Sequence, residues 1–239
     1  MSHFAVFSLS KKQTPYKTVL LPSNYILLMT NTPYKTIFLI RHGQTDYNKK
    51  GMIQGSGIDS SLNRLGQRQA EAFYQYYQNV PFEHIFISKL QRTYQSVQSF
   101  IEKSSLPFTA TPLLNEIHWG NQEGKRPSPK MKRTYEDMVQ VWAKGDTHYK
   151  VAEGESPEEV ALRMQEFVQE YIAPAPYQRM LICSHGRSMR ILLCLLLQKP
   201  LSAMEEFPHY NLCLYKIHWT PEKTEIVLHN STDHLQTLL

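Results

Sequence analysis

The chain has 239 residues, of which 41% are hydrophobic and 20% charged, enough for one well-buried core and too apolar for wholesale disorder. The formal net charge is +5, but the Lys and Arg are spread along most of the chain, which speaks against a nucleic-acid-binding stripe. No stretch is long and apolar enough to span a bilayer, and no signal-peptide pattern opens the chain, so no membrane partner is expected and the expected location is the cytoplasm. The three cysteines (Cys183, Cys194 and Cys213) form no CxxC pair, and buried free thiols in a reducing compartment explain them better than a zinc site.

Residues 1–34 read as an extension outside the catalytic core. TPYKTVLL at 14–21 is nearly repeated by TPYKTIFLI at 32–40, and Met29 just before the second copy could be an alternative start. An added strand on a sheet edge is the other reading of this segment. From residue 35 to 239 the pattern is that of one α/β domain. TIFLI (36–40) is a short β-branched apolar run, as expected of a strand buried on both faces. A polar loop runs to Ser61, and residues 62–78 place Leu62, Leu65, Phe73 and Tyr76–Tyr77 at helical spacing. A second strand, HIFIS (84–88), precedes a helix from Lys89 to Glu102, and PFTATPLL (107–114) is a third extended segment.

Farther on, Ser156 can cap a helix over 157–171, with Pro157 in its first turn and Glu158 and Glu159 at the positive end of its dipole. LICS (181–184) is a fourth strand, followed by a helix over 187–197; residues 211–219 and 224–230 alternate as edge strands. Repeated strand–helix alternation predicts a mainly parallel central sheet with helices on both faces, a three-layer α/β/α fold.

Ligands of such sheets gather at the C-terminal strand ends. There the first strand offers Arg41-His42-Gly43, the second leads to Arg92, the third to Glu116, and the fourth to His185-Gly186. Arginine forks match phosphate oxygens, and the start of the helix at Arg187 would offer free N–H groups to a dianion. A neutral imidazole can attack phosphorus, a protonated one can stabilise the transferring group, and a carboxylic acid can protonate the leaving oxygen. Singly each motif is weak; the ordered set, each member at a strand end, is a much stronger signal and suits phosphate chemistry.

RHGQTDYN (41–48), SKLQRTYQS (88–96), NEIHWGNQEGK (115–125), GESPEEVALR (154–163) and SHGRSMR (184–190) together resemble the histidine phosphatase, or phosphoglycerate mutase-like, superfamily over about residues 35–230. The resemblance implies that His42 is the nucleophile, that Arg41, Arg92 and His185 complete the phosphate pocket, and that Glu116 donates the proton. It also implies substrate contacts from Gly43, Asn48, Gln54, Gly55 and Gly186, a small phosphorylated substrate, and no metal or organic cofactor. Arg187 is a departure that either meets an anionic group on the substrate or is a surface arginine at a helix start.

The mutase branch fits less well, because Ile117 follows Glu116, Arg187 follows His185-Gly186, and only residues 117–153 separate the acid from the GES block. An inactive member used as a binding module would be expected to have lost one of these groups. The run KRPSPKMKR (125–133) is either a lid or a solvated loop, and His118 either faces the pocket or is structural. His84, His209, His218 and His229 read as structural, with no metal spacing among them. Oligomeric state is not legible.

Overall fold

The computed structural model describes residues 34–238, so the expectations for 1–33 lie outside the described residues. Tyr34, the last residue of the assigned extension, is described and stacks on the ring of His218, with centroids 4.0 Å apart.

Six strands form one sheet: β1 (Lys35–Arg41), β2 (His84–Ser88), β3 (Phe108–Thr111), β4 (Arg179–Ser184), β5 (Leu214–Trp219) and β6 (Thr224–Ser231). Their order is β3-β2-β4-β1-β5-β6. The pairs β2–β3, β2–β4 and β1–β4 are parallel; β1–β5 and β5–β6 are antiparallel, so the last two strands add a hairpin edge to a parallel core. Alternation along the strands supplies two cores. Ile37, Leu39, Met180 and Ile182 face one side; Phe38, Ile40, Leu181 and Cys183 face the other. Burial on both faces is why these strands are continuously apolar in sequence.

Helices α1 (Asp46–Lys49), α2 (Arg64–Tyr77), α3 (Gln91–Lys103), α4 (Pro129–Ala143), α5 (Pro157–Phe167) and α6 (Gly186–Leu196) complete the layers. Phe73, Tyr77, Val97 and Phe100 of α2 and α3 fill one core, and Trp142, Val160, Phe167 and Ile191 of α4, α5 and α6 fill the other. The three cysteines are free and buried. Among the described residues no helix is long and apolar enough to cross a membrane.

Caps set the helix boundaries. Ser156 and Glu159 form a capping box at the start of α5, as its sequence suggests. That helix ends at Phe167 and passes into a turn of π geometry, Val168–Ile172, so the segment expected as one helix is two. The expected loop between β1 and α2 contains α1, with a capping box of Thr45 and Asn48. The run 125–133 is neither wholly lid nor wholly loop: Ser128 accepts from the Met131 N–H and starts α4 inside it, with Pro129 in the first turn.

The chain leaves β1 toward the layer that holds α2, and leaves neighbouring β4 toward the layer that holds α6. The two strand-end loops therefore part, and a crevice opens between them.

Candidate active site

His42 follows the last residue of β1, and its N–H donates to the Ser184 carbonyl (3.0 Å), so the β1–β4 ladder fixes its backbone. Its ring Nδ1 lies 2.7 Å from the Gly43 carbonyl, which can only accept. The proton is thereby assigned to Nδ1, and Nε2 carries the free lone pair. Burial, then the Arg92 and Arg41 guanidiniums, hold this imidazole well below the usual histidine range. It is neutral at neutral pH, the state a nitrogen nucleophile needs.

Arg92 projects from the first turn of α3 and is fully buried. Two carbonyls anchor its fork, Ile58 at 2.7 Å and Gly55 at 3.1 Å, and its Nε donates to His185 Nδ1 at 3.2 Å. Burial lowers its pKa to about 10, with Glu116 opposing, so it stays charged at working pH. Arg41, at the end of β1, is lowered by burial against the pull of Glu116, and its Nε has no partner among the described residues.

His185 caps α6, its ring 5.1 Å from that of His42 between centroids. Since Nδ1 accepts from Arg92, Nε2 bears the hydrogen and donates to Ser88 Oγ at 2.8 Å. Burial, Arg92 and His42 hold it well below the usual range. The expected protonated second imidazole is therefore neutral, because it is buried against an arginine donor.

The acid is held by a helix start. Glu116 Oε1 accepts from the N–H groups of Ile117 (2.9 Å) and Ser188 (3.0 Å) and from Ser188 Oγ (3.0 Å); Oε2 accepts from Arg187 N–H (3.2 Å). The free N–H groups of α6, expected to meet phosphate, are spent on the Glu116 carboxyl oxygens instead, since acceptors at a helix start satisfy its unpaired donors. From behind, Arg163 of α5 donates to the carbonyls of Leu113, Asn115 and Glu116 and pairs with Glu155 at 3.0 Å, which fixes the acid segment.

A cavity of about 390 Å³ opens beside Arg41 and Glu116, and His42, Arg92 and His185 lie outside its lining. Arg41, Glu116, Gly186 and Arg187 line it with Asn48 and Gln54; Trp119, Met131 and Tyr135 form apolar walls, and Lys125 and Lys132 also face it. Asn48 Oδ1 accepts from Asn211 Nδ2 at 3.0 Å. Gln54 spends its amide on Thr45 and Ser60, at 2.8 and 2.6 Å. Gly43 and Gly55 are not brought to the cavity wall. The first orients His42; the second gives its carbonyl to Arg92, and a Cβ on it would lie 2.0 Å from Glu123 Oε1.

Arg187 is not a surface arginine. It is buried, ion-paired with Glu205, hydrogen-bonded to Tyr135 Oη at 2.7 Å, and 5.2 Å from the Trp142 ring. Burial opposes its charge, but Tyr135 and Glu205 outweigh that and raise its pKa. His118 bonds the Glu153 carbonyl at 2.9 Å and does not line the cavity. His209, read from sequence as structural, does line it, because the loop before β5 folds over the end of β1: Leu212 N–H donates to the Arg41 carbonyl at 3.1 Å. Ser188 and Asn211 also escaped sequence reasoning. Among the described residues no group of three His, Cys, Asp or Glu side chains is placed to hold a metal ion.

Known proteins share the sequence pattern and the fold. The model of the histidine phosphatase superfamily (branch 1) matches residues 37–232. A Hydrogenobacter thermophilus protein named "Putative phosphoserine phosphatase 2" is 28% identical over 204 residues, covering 85% of this chain and 99% of its own. "Probable phosphoglycerate mutase GpmB" of Yersinia enterocolitica is 30% identical over 181 residues, 76% of this chain and 83% of its own. The crystal structure of the alpha-ribazole phosphatase from Shigella flexneri superimposes with a TM-score of 0.72 at 25% identity, over 82% of this chain and 96% of that one. With sequence, fold and pocket in accord, the chain belongs to the histidine phosphatase superfamily (branch 1) and is a phosphatase acting on phosphate monoesters.

Proposed function

We propose that the protein hydrolyses a small phosphorylated metabolite through a phosphohistidine on His42, without metal, in the cytoplasm. The carrying observation is the tautomer of His42: Gly43 takes the Nδ1 hydrogen, so Nε2 presents its lone pair among Arg41, Arg92 and His185. In the first step Nε2 attacks phosphorus, the P–O bond to the leaving group breaks, and Glu116 gives that oxygen its proton. In the second, water attacks phosphorus, the N–P bond breaks, and Glu116 takes the proton back. Alcohol and inorganic phosphate leave, and the enzyme returns to its starting state. The two arginines supply the positive charge for which other phosphatases use a metal.

The catalytic domain is taken as residues 35–239, with 1–34 ahead of it as an extension; the family match beginning at residue 37 supports the division. Gln54, Asn48 and Gly186 would contact substrate from the cavity wall, whereas Gly43 and Gly55 act through His42 and Arg92. Buried thiols fit a reducing compartment. The relatives' names include phosphatases for phosphoserine and alpha-ribazole phosphate esters, consistent with a small substrate. Mutase chemistry is the lesser reading, since Ile117 and Arg187 depart from that branch's pattern.

The test is phosphate release from a panel of aryl, sugar and nucleotide phosphates with chelator present, followed by acid-labile trapping of the labelled enzyme. Chelator-resistant release that disappears with His42→Ala, together with label on His42, is expected. Well-folded enzyme that releases no phosphate from any ester would overturn the proposal.

A further inference from the structure

We infer that His209 is a further phosphate-binding residue: its Nε2–H and the Nε–H of Arg41 converge on one phosphoryl oxygen in the gap over Gly186. This rests on the phosphatase reading above and adds a donor to it.

The convergence is geometric. A Cβ built on Gly186 would stand 2.9 Å from His209 Nε2 and 3.5 Å from Arg41 Nε. Both nitrogens therefore flank the side of Gly186 that bears no side chain, close enough together for one oxygen farther out in the cavity to lie between them. Arg41 Nε is buried and has no partner among the described residues, and His209 Nε2 likewise makes no hydrogen bond there. A buried guanidinium donor without an acceptor is costly, and a ligand oxygen would satisfy it. Arg41, Gly186 and His209 all line the same cavity as Glu116.

The protonation state fits a donor. Arg41 Nη1 approaches His209 Nδ1 at 3.5 Å, and an arginine can only donate, so the imidazole hydrogen sits on Nε2. Burial, then Arg41 and Arg190, lower the pKa of His209 to about 2, so the ring is a neutral donor throughout the working range. It adds a directed hydrogen bond without adding another cation to a pocket that already holds two arginines. Sequence hid this residue because its contact with Arg41 spans 168 positions.

Three substitutions separate the roles of the two ring nitrogens. Asparagine places an oxygen near the position of Nδ1, keeping an acceptor for Arg41; glutamine reaches the position of Nε2 with an amide N–H. His209→Ala should lower kcat/KM by about 10²-fold and weaken inhibition by vanadate at least about 10-fold, with the melting temperature nearly unchanged. His209→Gln should recover most of both losses, and His209→Asn should not. Wild-type kcat/KM and vanadate inhibition in His209→Ala, or rescue by asparagine in place of glutamine, would overturn the inference. Should the His209 variants fail to fold, Gly186→Ala reads the same gap: its methyl should abolish vanadate affinity, and unchanged affinity would refute the assignment. Wild-type enzyme with no phosphatase activity would instead count against the function proposed above.

Discussion

At the buried base of the site His42, Arg92 and Glu116 are each gripped by backbone groups; at the mouth of the cavity Lys125 and Lys132 are almost free. Among the described residues the Lys132 ammonium meets only Glu136, at 3.8 Å and largely in solvent, and Lys125 has no polar partner. The base depends on short strand ends and helix starts in the sheet core, where a shift of one atom would propagate. The mouth belongs to the loop before α4 and to that helix's first turn, whose exposed cations can move to meet different substrates. Fixed geometry serves the transition state, and adaptable charge serves ground-state binding.

The sharpest way to break this contrast is at Glu116. Glu116→Gln keeps shape but removes the transferable proton, so kcat should fall by about 10²–10⁴-fold on alkyl phosphates. Aryl phosphates, whose leaving groups depart without help, should lose far less. Equal losses on both would show that the carboxylate positions α6 and does not transfer a proton; steady-state rates across a leaving-group series give the answer.

Acid comes next. His42, His185 and His209 are all held below the ordinary histidine range in the folded protein, the last at about 2. The unfolded chain takes up protons at these rings near pH 6.5, where the folded chain refuses them. Stability should therefore fall as pH drops below about 6.5, and continue falling toward the depressed folded-state values. Denaturant midpoints measured from pH 7.5 down to 4.5 should decline; a flat profile would contradict the neutral-imidazole assignment.

The mouth should answer most gently. The double variant Lys125→Glu, Lys132→Glu should raise KM about 3–10-fold for substrates bearing a second anionic group, with kcat nearly constant. The effect should shrink at high salt, because both charges are exposed. A fall in kcat with unchanged KM would place these lysines in the chemistry and erase the distinction between base and mouth.

Much of the base was legible because a strand buried on both faces must be continuously apolar, so TIFLI and HIFIS advertise both themselves and the residues that follow. The mouth was not, because α4 buries only a narrow stripe, chiefly Met138 and Trp142, behind a basic opening turn. Its signal was nevertheless present: Ser128-Pro129 repeats the Ser156-Pro157 start that identifies α5. Contacts across the sheet are harder to read. Nothing local announces that Ser188 holds Glu116, that Asn211 reaches Asn48, or that His209 lies beside Arg41, since each joins segments that only the closed fold makes neighbours.

The buried cysteines have a practical corollary for handling the enzyme. Burial raises all three thiols, Cys194 to about 12 and Cys213 to about 11, so none offers a thiolate at neutral pH. Alkylating reagents and mild peroxide, which silence phosphatases that attack through sulfur, should leave this one working. Such treatment would therefore unmask its activity in a mixture where thiol-dependent enzymes dominate.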